Sequence, residues 1–235
     1  MRKDGSIYSI TEKKHNLLFR NYFYMNKNNN NLPLFVGILI FDQVELLDVA
    51  GPFEVFSVTR LNEKEKEGSS PFKVILIAEK PDQISTIGGL RLTPDVSFDT
   101  CPRLDLFIVT GGWGTRKEIN NLNLVNWIAN RSSQTKITAS VCTGSSLLGK
   151  AGLLDGREST THFQAFDFLS QSAPNTKIRK DVLFTLAEPV FTSAGVSAGI
   201  DLSLRIVSHF FGIEVGRATA RHMEYPYPIE NKRRW

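Results

Sequence analysis

Four short apolar runs limit what this chain can fold into. They are LFVGILIF from Leu34, FKVILIA from Phe72, LDLFIVT from Leu104, and the stretch Ile137 to Val141. Each has the length of a strand, is rich in β-branched residues and lacks the strict polar alternation of a half-solvated strand. Such runs fit strands buried on both faces, as in a parallel sheet. Helical stretches follow: FEVFSVTRL after Pro52, Glu118 to Asn130 with Ile119, Leu122, Val125 and Ile128 on one face, and a helix beginning near Thr143. The GG at 88–89 marks a turn before Leu90 to Pro94. Farther on, Phe191-Thr-Ser-Ala reads as a short strand, and Ala198 to Phe210 and Ile213 to Met223 read as helices.

Strands alternating with helices predict a parallel sheet covered on both sides. In such folds the ligand site lies beyond the carboxyl ends of the strands. Three strand ends are singled out: the loop to Asp48, the segment Gly111 to Gly114, and the turn at Cys142. At 235 residues the chain suits one α/β domain, and no internal repeat is evident.

Charge and cysteine content narrow the class. The net charge of +4 is mild, and its basic residues are thickest at Lys13-Lys14 and Lys232-Arg233-Arg234. Solvated tails account for these better than a nucleic-acid footprint does. Two cysteines argue against a disulfide framework. No run approaches the roughly 18 apolar residues of a membrane helix, and the first residues lack the apolar core of a secretory signal. A cytoplasmic protein is expected. Residues 1–32, ending in the polar tract Asn26 to Asn31, read as a disordered or tethering extension, and Met25 is an alternative start. Residues 33–228 form the expected domain, and 229–235 a basic tail.

The stretch VCTGSSLLGKAGLL, from Val141 to Leu154, admits two incompatible readings. From Gly144 it nearly matches G-x-x-x-x-G-K-[ST], the phosphate-binding loop. That loop needs a hydroxyl after the lysine for magnesium, and Ala151 stands there. Ser145-Ser146-Leu147-Leu148 would also place two leucines in an open coil, whereas they suit the buried face of a helix. From Val141 the stretch reads instead as a sharp strand-to-helix turn presenting Cys142, where a helix N-terminus favours the thiolate. A small buried cysteine at a strand end fits the spacing equally well. A second motif, Gly195-Val196-Ser197-Ala198-Gly199, matches the serine-hydrolase pattern G-x-S-x-G. However, Asp201 lies too close to act as an independent orienting acid for His209 or His222. Tight helix–strand packing is the expected reason for those glycines. Asp48, just ahead of a helix, reads on position alone as an N-cap.

Taken together, GILIFDQVELLDVAGPFEVF, VTGGWGTR, ASVCTGSSLLGKAGLLDGRESTTHF and FTSAGVSAGIDLSL resemble the ThiJ/PfpI superfamily of the class I glutamine-amidotransferase-like fold. The resemblance spans about Leu34 to Pro228. The pieces L-D-x-x-G-P, S-V-C-T-G-S and T-T-H are most similar to its isonitrile-hydrating branch. It implies a flavodoxin-like three-layer α/β sandwich with a mostly parallel central sheet and a nucleophile elbow, in a homodimer. By position it makes Cys142 the nucleophile and Asp48 its acidic partner. Thr143 follows the nucleophile, where other branches often carry histidine. The backbone N–H groups of Gly112 and Thr143 would form an anion-stabilising pocket, with Gly111 beside them and Trp113 lining it. His162 would stand near the site in either a catalytic or a structural role. Neither metal nor cofactor is expected, and the partner is a small electrophilic substrate rather than nucleic acid or membrane.

The implied chemistry suits these residue types. Attack by the Cys142 sulfur on an isonitrile carbon gives a thioimidate adduct. Asp48 supplies a proton, then guides water to release an N-substituted formamide. A carboxyl buried beside a thiol should have a raised pKa. Two alternatives stand beside this reading. One is a glyoxalase or deglycase acting on reactive aldehydes. The other is a non-catalytic redox-sensing or ligand-binding regulatory domain, expected to be the weaker because no helix-turn-helix follows within these residues. Two departures from the family pattern are evident: Thr110 stands where proline is common, and Lys180 to Pro189 is longer and more apolar than a tight hairpin. Cys101 is expected to be incidental.

Overall fold

A computed structural model describes residues 33–62, 70–227 and 229–233. The extension expected at 1–32 lies outside the described residues. The unit from Leu34 onward carries everything below.

Seven strands form the main sheet: β1 (Leu34–Leu39), β2 (Phe72–Ala78), β3 (Val96–Ser97), β4 (Leu106–Val109), β5 (Ile137–Ser140), β6 (Phe184–Ala187) and β7 (Val190–Ser193). Their order is β6-β7-β5-β4-β1-β2-β3. All neighbouring pairs are parallel except β6 with β7. The apolar runs occupy the middle of this order because both of their faces are covered. Val36, Ile38, Leu106, Phe107 and Val109 are fully buried. Each such side chain contributes roughly 1.5–3 kcal/mol relative to exposure.

Helices cover both faces. On one, α1 (Leu46–Val58), α5 (Ala198–Phe211) and α6 (Ile213–His222) pack against one another. On the other, α2 (Leu122–Ser132) and α4 (Phe166–Ser172) flank α3 (Gly144–Lys150). The flavodoxin-like layering with a mostly parallel sheet is therefore present.

Three local expectations change. The first helix begins at Leu46, so Asp48 lies inside its first turn and Pro52 lies within the helix rather than at its start. The helix expected over 118–130 is two helices, Thr115–Glu118 and α2, separated where Asn121 caps α2 through its side chain. Leu122 is exposed in consequence, and Leu124, Val125 and Ile128 form the buried face. The segment 180–189 enters an antiparallel hairpin, β6 to β7, whose connection contains a cis Glu188–Pro189 peptide.

The C-terminal stretch is not a free basic tail where it is described. The Asn231 side chain accepts from the N–H groups of Leu183 and Phe184 at 3.0 and 2.9 Å and donates to the Phe184 carbonyl at 3.0 Å. It thereby satisfies backbone groups at the outer edge strand β6, which would otherwise be open to pairing.

Candidate active site

The parallel strands β5, β4 and β1 end together, and the segments leaving them converge. After β5 the chain turns at Cys142, which has φ of +57°. A non-glycine residue in this left-handed region carries a penalty of about 1–2 kcal/mol, so the neighbourhood must hold it there. The Cys142 N–H donates to the Ala194 carbonyl at 3.1 Å, tying the turn to the end of β7. Its carbonyl accepts from the Ser145 hydroxyl at 3.1 Å and from the Thr161 hydroxyl at 2.9 Å. Helix α3 then begins at Gly144 with Thr143 as N-cap. The sharp strand-to-helix turn expected here is present, and Cys142 is buried in it.

Asp48 projects from the first turn of α1 and is fully buried. It does not cap its own helix; Glu45 occupies the N-cap position without a side-chain bond. The Asp48 carboxyl instead accepts from two distant amides. Gly111 N–H reaches Oδ2 at 2.9 Å and Val196 N–H reaches Oδ1 at 3.2 Å. The Cys142 side chain lies near enough to this carboxyl to pull its pKa down, as a lesser influence. Burial raises the Asp48 pKa to about 8, reinforced by the nearby Glu45 charge, even though the Gly111 and Val196 amides pull the other way. Near neutrality Asp48 is therefore an acid with a proton to give.

The Cys142 thiol is also pushed above its ordinary value, first by burial and then by the Asp48 charge. Burial thus opposes the pull toward the thiolate expected of the helix N-terminus. The Thr143 N–H and hydroxyl favour the thiolate, but α3 is short and burial outweighs them. The resting pair is thus a thiol beside a carboxylic acid.

Of the two amides expected to form an anion pocket, that of Gly112 is employed elsewhere. Gly111 N–H holds Asp48, and Gly112 N–H donates to the Thr143 hydroxyl at 3.0 Å. Thr143, by its N–H and its hydroxyl, favours charge on the Cys142 sulfur. Gly112 has φ of +130° and packs against the backbone of Gln43 to Glu45, an approach that a Cβ would block. Thr115, which sequence reasoning missed, donates its hydroxyl to the Gly112 carbonyl at 2.7 Å and lies 3.1 Å from the Thr143 hydroxyl. The Thr143 hydroxyl donates to the same carbonyl at 3.2 Å, so two threonine hydroxyls share the Gly112 oxygen. Thr110, at the position where proline was expected, bonds the Leu39 carbonyl at 2.5 Å and links the ends of β4 and β1.

His162 lies against Gly195, where a Cβ could not fit. Its Nδ1 accepts from Gln164 N–H at 3.3 Å, which places the proton of the neutral ring on Nε2. Burial depresses its pKa, aided by the charges of Arg233 and Arg116 and opposed by Glu45. Trp113 is 64% exposed, so it stands at the rim rather than forming a wall. The Arg116 guanidinium stacks 4.8 Å over its ring.

The competing readings find no support. Gly144 to Lys150 is helix rather than phosphate-binding coil, and Leu147 and Leu148 are buried in it. Ser197 points outward at the start of α5, while the Asp201 carboxylate bonds the Tyr225 hydroxyl at 3.0 Å. That leaves no arrangement for a serine triad. Cys101 is half-buried, its thiol near the Pro102 carbonyl. Among the described residues no cluster of His, Cys, Asp and Glu could hold a metal ion, and no helix is long and apolar enough to cross a membrane.

Residues 35–209 match the model of the DJ-1/PfpI family. The chain is 30% identical to isonitrile hydratase of Pseudomonas putida over 83% of its own length and 79% of that protein. It is 26% identical to the HTH-type transcriptional regulator GbdR of Pseudomonas aeruginosa, also over 83% of this chain, but it spans only 52% of the regulator. A ThiJ/PfpI family protein from Pseudomonas syringae has a solved structure that superposes with a TM-score of 0.72 at 26% identity. That match covers 88% of this chain and 82% of the other.

Proposed function

Because the chain belongs to the DJ-1/PfpI family and places a buried, proton-bearing Asp48 against the Cys142 thiol, we propose that it is a cofactor-free isonitrile hydratase. The observation that carries this reading is the Asp48–Cys142 pair itself. A hydratase of R–N≡C must deliver a proton and a nucleophile to one carbon atom, and then return both catalytic groups to their starting state. Sγ of Cys142 bonds to the isonitrile carbon while Asp48 gives that carbon its proton and receives the thiol proton in exchange. The product is the thioimidate R–N=CH–S–Cys142. Water then adds to the same carbon, its proton passing by way of Asp48 to nitrogen. The C–S bond breaks, the sulfur regains a proton, and R–NH–CHO leaves. The sum is R–N≡C plus water, with the enzyme unchanged.

Thr143 suits this cycle because its N–H and hydroxyl stabilise charge on the sulfur as the C–S bond forms and breaks. His162, neutral with its proton on Nε2, is a candidate donor to the substrate nitrogen. Trp113 at the rim, with Gly111 and Gly112 buried behind it, would border the substituent R. The active form proposed is a homodimer.

Purified protein mixed with cyclohexyl isocyanide should release the formamide, and Cys142→Ala should release none. If the wild type leaves the isocyanide untouched and consumes methylglyoxal instead, the aldehyde-directed reading replaces this one. The likeness to the regulator favours a second reading, a small-molecule sensing domain. A regulatory domain would prevail if neither compound reacts, and ready oxidation of Cys142 by mild peroxide would make it a redox sensor.

A further inference from the structure

Arg233, in the C-terminal stretch, reaches back to the segment that braces the nucleophile. Its backbone N–H donates to the Asp181 carbonyl at 3.1 Å, and Nε donates to the Lys180 carbonyl at 2.7 Å. Nη2 donates to the Thr161 carbonyl at 2.8 Å and to the Thr160 hydroxyl at 3.1 Å. The guanidinium lies 5.0 Å over the Phe166 ring, which confines it from the α4 side. The planar fork therefore joins the 180–181 segment to the 160–161 segment, a geometry that a lysine ammonium cannot reproduce.

The segment it grips is the one that bears on catalysis. The Thr161 hydroxyl donates to the Cys142 carbonyl at 2.9 Å, one of the bonds that hold the left-handed elbow, and His162 is the next residue. We propose that Arg233 is a positioning residue for the active site, acting through Thr161 on the Cys142 elbow and fixing His162 beside it. The inference rests on the thiol-enzyme reading above, but its geometry holds for any chemistry at Cys142. The same charge also bears on His162, together with Arg116 from the Thr115–Glu118 helix and against Glu45 ahead of α1.

A thermodynamic cycle at Cys142 tests it without requiring turnover. Alkylation of Cys142 by iodoacetamide is followed by mass spectrometry for the wild type, Arg233→Ala, Thr161→Val and the double variant. Releasing the elbow exposes a thiol that is now buried, so each single change should raise the rate at least threefold. The double variant should be no faster than the faster single one, because both remove one brace. Arg233→Lys should stay close to Arg233→Ala. NMR titration of His162 supplies a second readout that a merely structural role would leave in place. Its midpoint should rise in Arg233→Ala and hold in Arg233→Lys, which keeps the charge. Independent, multiplicative effects of the two single changes, or a His162 midpoint that ignores Arg233, would overturn the proposal. Absence of isonitrile hydration by the wild type would count against the hydratase reading alone.

Discussion

Two strand-to-helix turns in this molecule share a conformation and differ in use. One leaves β5 at Cys142 and the other leaves β7 at Val196. The strands are parallel neighbours, and both turns hold a non-glycine residue at nearly the same left-handed φ, +57° and +55°. Cys142 uses the strain to present a side chain. Val196, a β-branched residue for which this conformation is costlier still, uses it to aim a backbone N–H at Asp48 Oδ1. The serine of G-x-S-x-G, the residue that makes the second turn look catalytic, points to solvent. A motif can therefore mark a real strained turn and still name the wrong atom.

That contrast can be broken in four places. The largest effect is expected at the first turn: Cys142→Ala should abolish formamide release, while keeping the fold by circular dichroism. Next comes the acid that both turns address. Asp48→Asn should lower kcat/KM by about 10²–10⁴-fold, the range of a positioned proton donor. In the wild type kcat/KM should fall as pH rises through about 8, because Asp48 must carry its proton to act.

The same group has a signature in stability. Its folded pKa of about 8 lies above its ordinary 3.8, so the native state retains a proton that the unfolded chain releases. That contribution is fully present below pH about 4 and is lost as pH rises to about 8, with a slope of at most about 1.4 kcal/mol per unit. Denaturant titrations at several pH values should show this slope in the wild type and not in Asp48→Asn.

The third test is Val196→Gly, which permits the left-handed turn without strain but no longer enforces it. Stability measured by denaturant should stay within about 1 kcal/mol, since relief of strain offsets glycine's entropy. Formamide production should drop several-fold as the amide loses its aim. Smallest of all, Ser197→Ala should leave kcat and KM within error. A large loss there would reverse the comparison and revive the serine.

The central strands were readable because burial on both faces leaves a continuous apolar run, and the position of the site followed from where such strands end. Helix limits were less readable. Asn121 caps a new helix inside what the spacing of Ile119, Leu122, Val125 and Ile128 presents as one, and Glu45 rather than Asp48 precedes the first helix. Within the site, Cys142 and Asp48 were marked by position in recognisable segments. Thr115, Thr161 and Val196 were not, since a hydroxyl or an amide carries no signature until its partner is known. The one available hint for Val196 was its place in G-x-S-x-G.

By itself the sequence determined the layered α/β architecture, the elbow at Cys142 and the family to which the chain belongs. These depend on local periodicity and contiguous motifs. Tertiary structure decided the chemistry of the pair. Asp48 takes its two amides from residues 63 and 148 positions away, and its raised pKa comes from burial that no nearby residue specifies. It likewise decided that the Gly112 amide would serve Thr143, and that Arg233 would fold back onto the 160–161 segment. Periodicity is written along the chain, whereas proton affinity depends on what the fold brings near and what water it excludes.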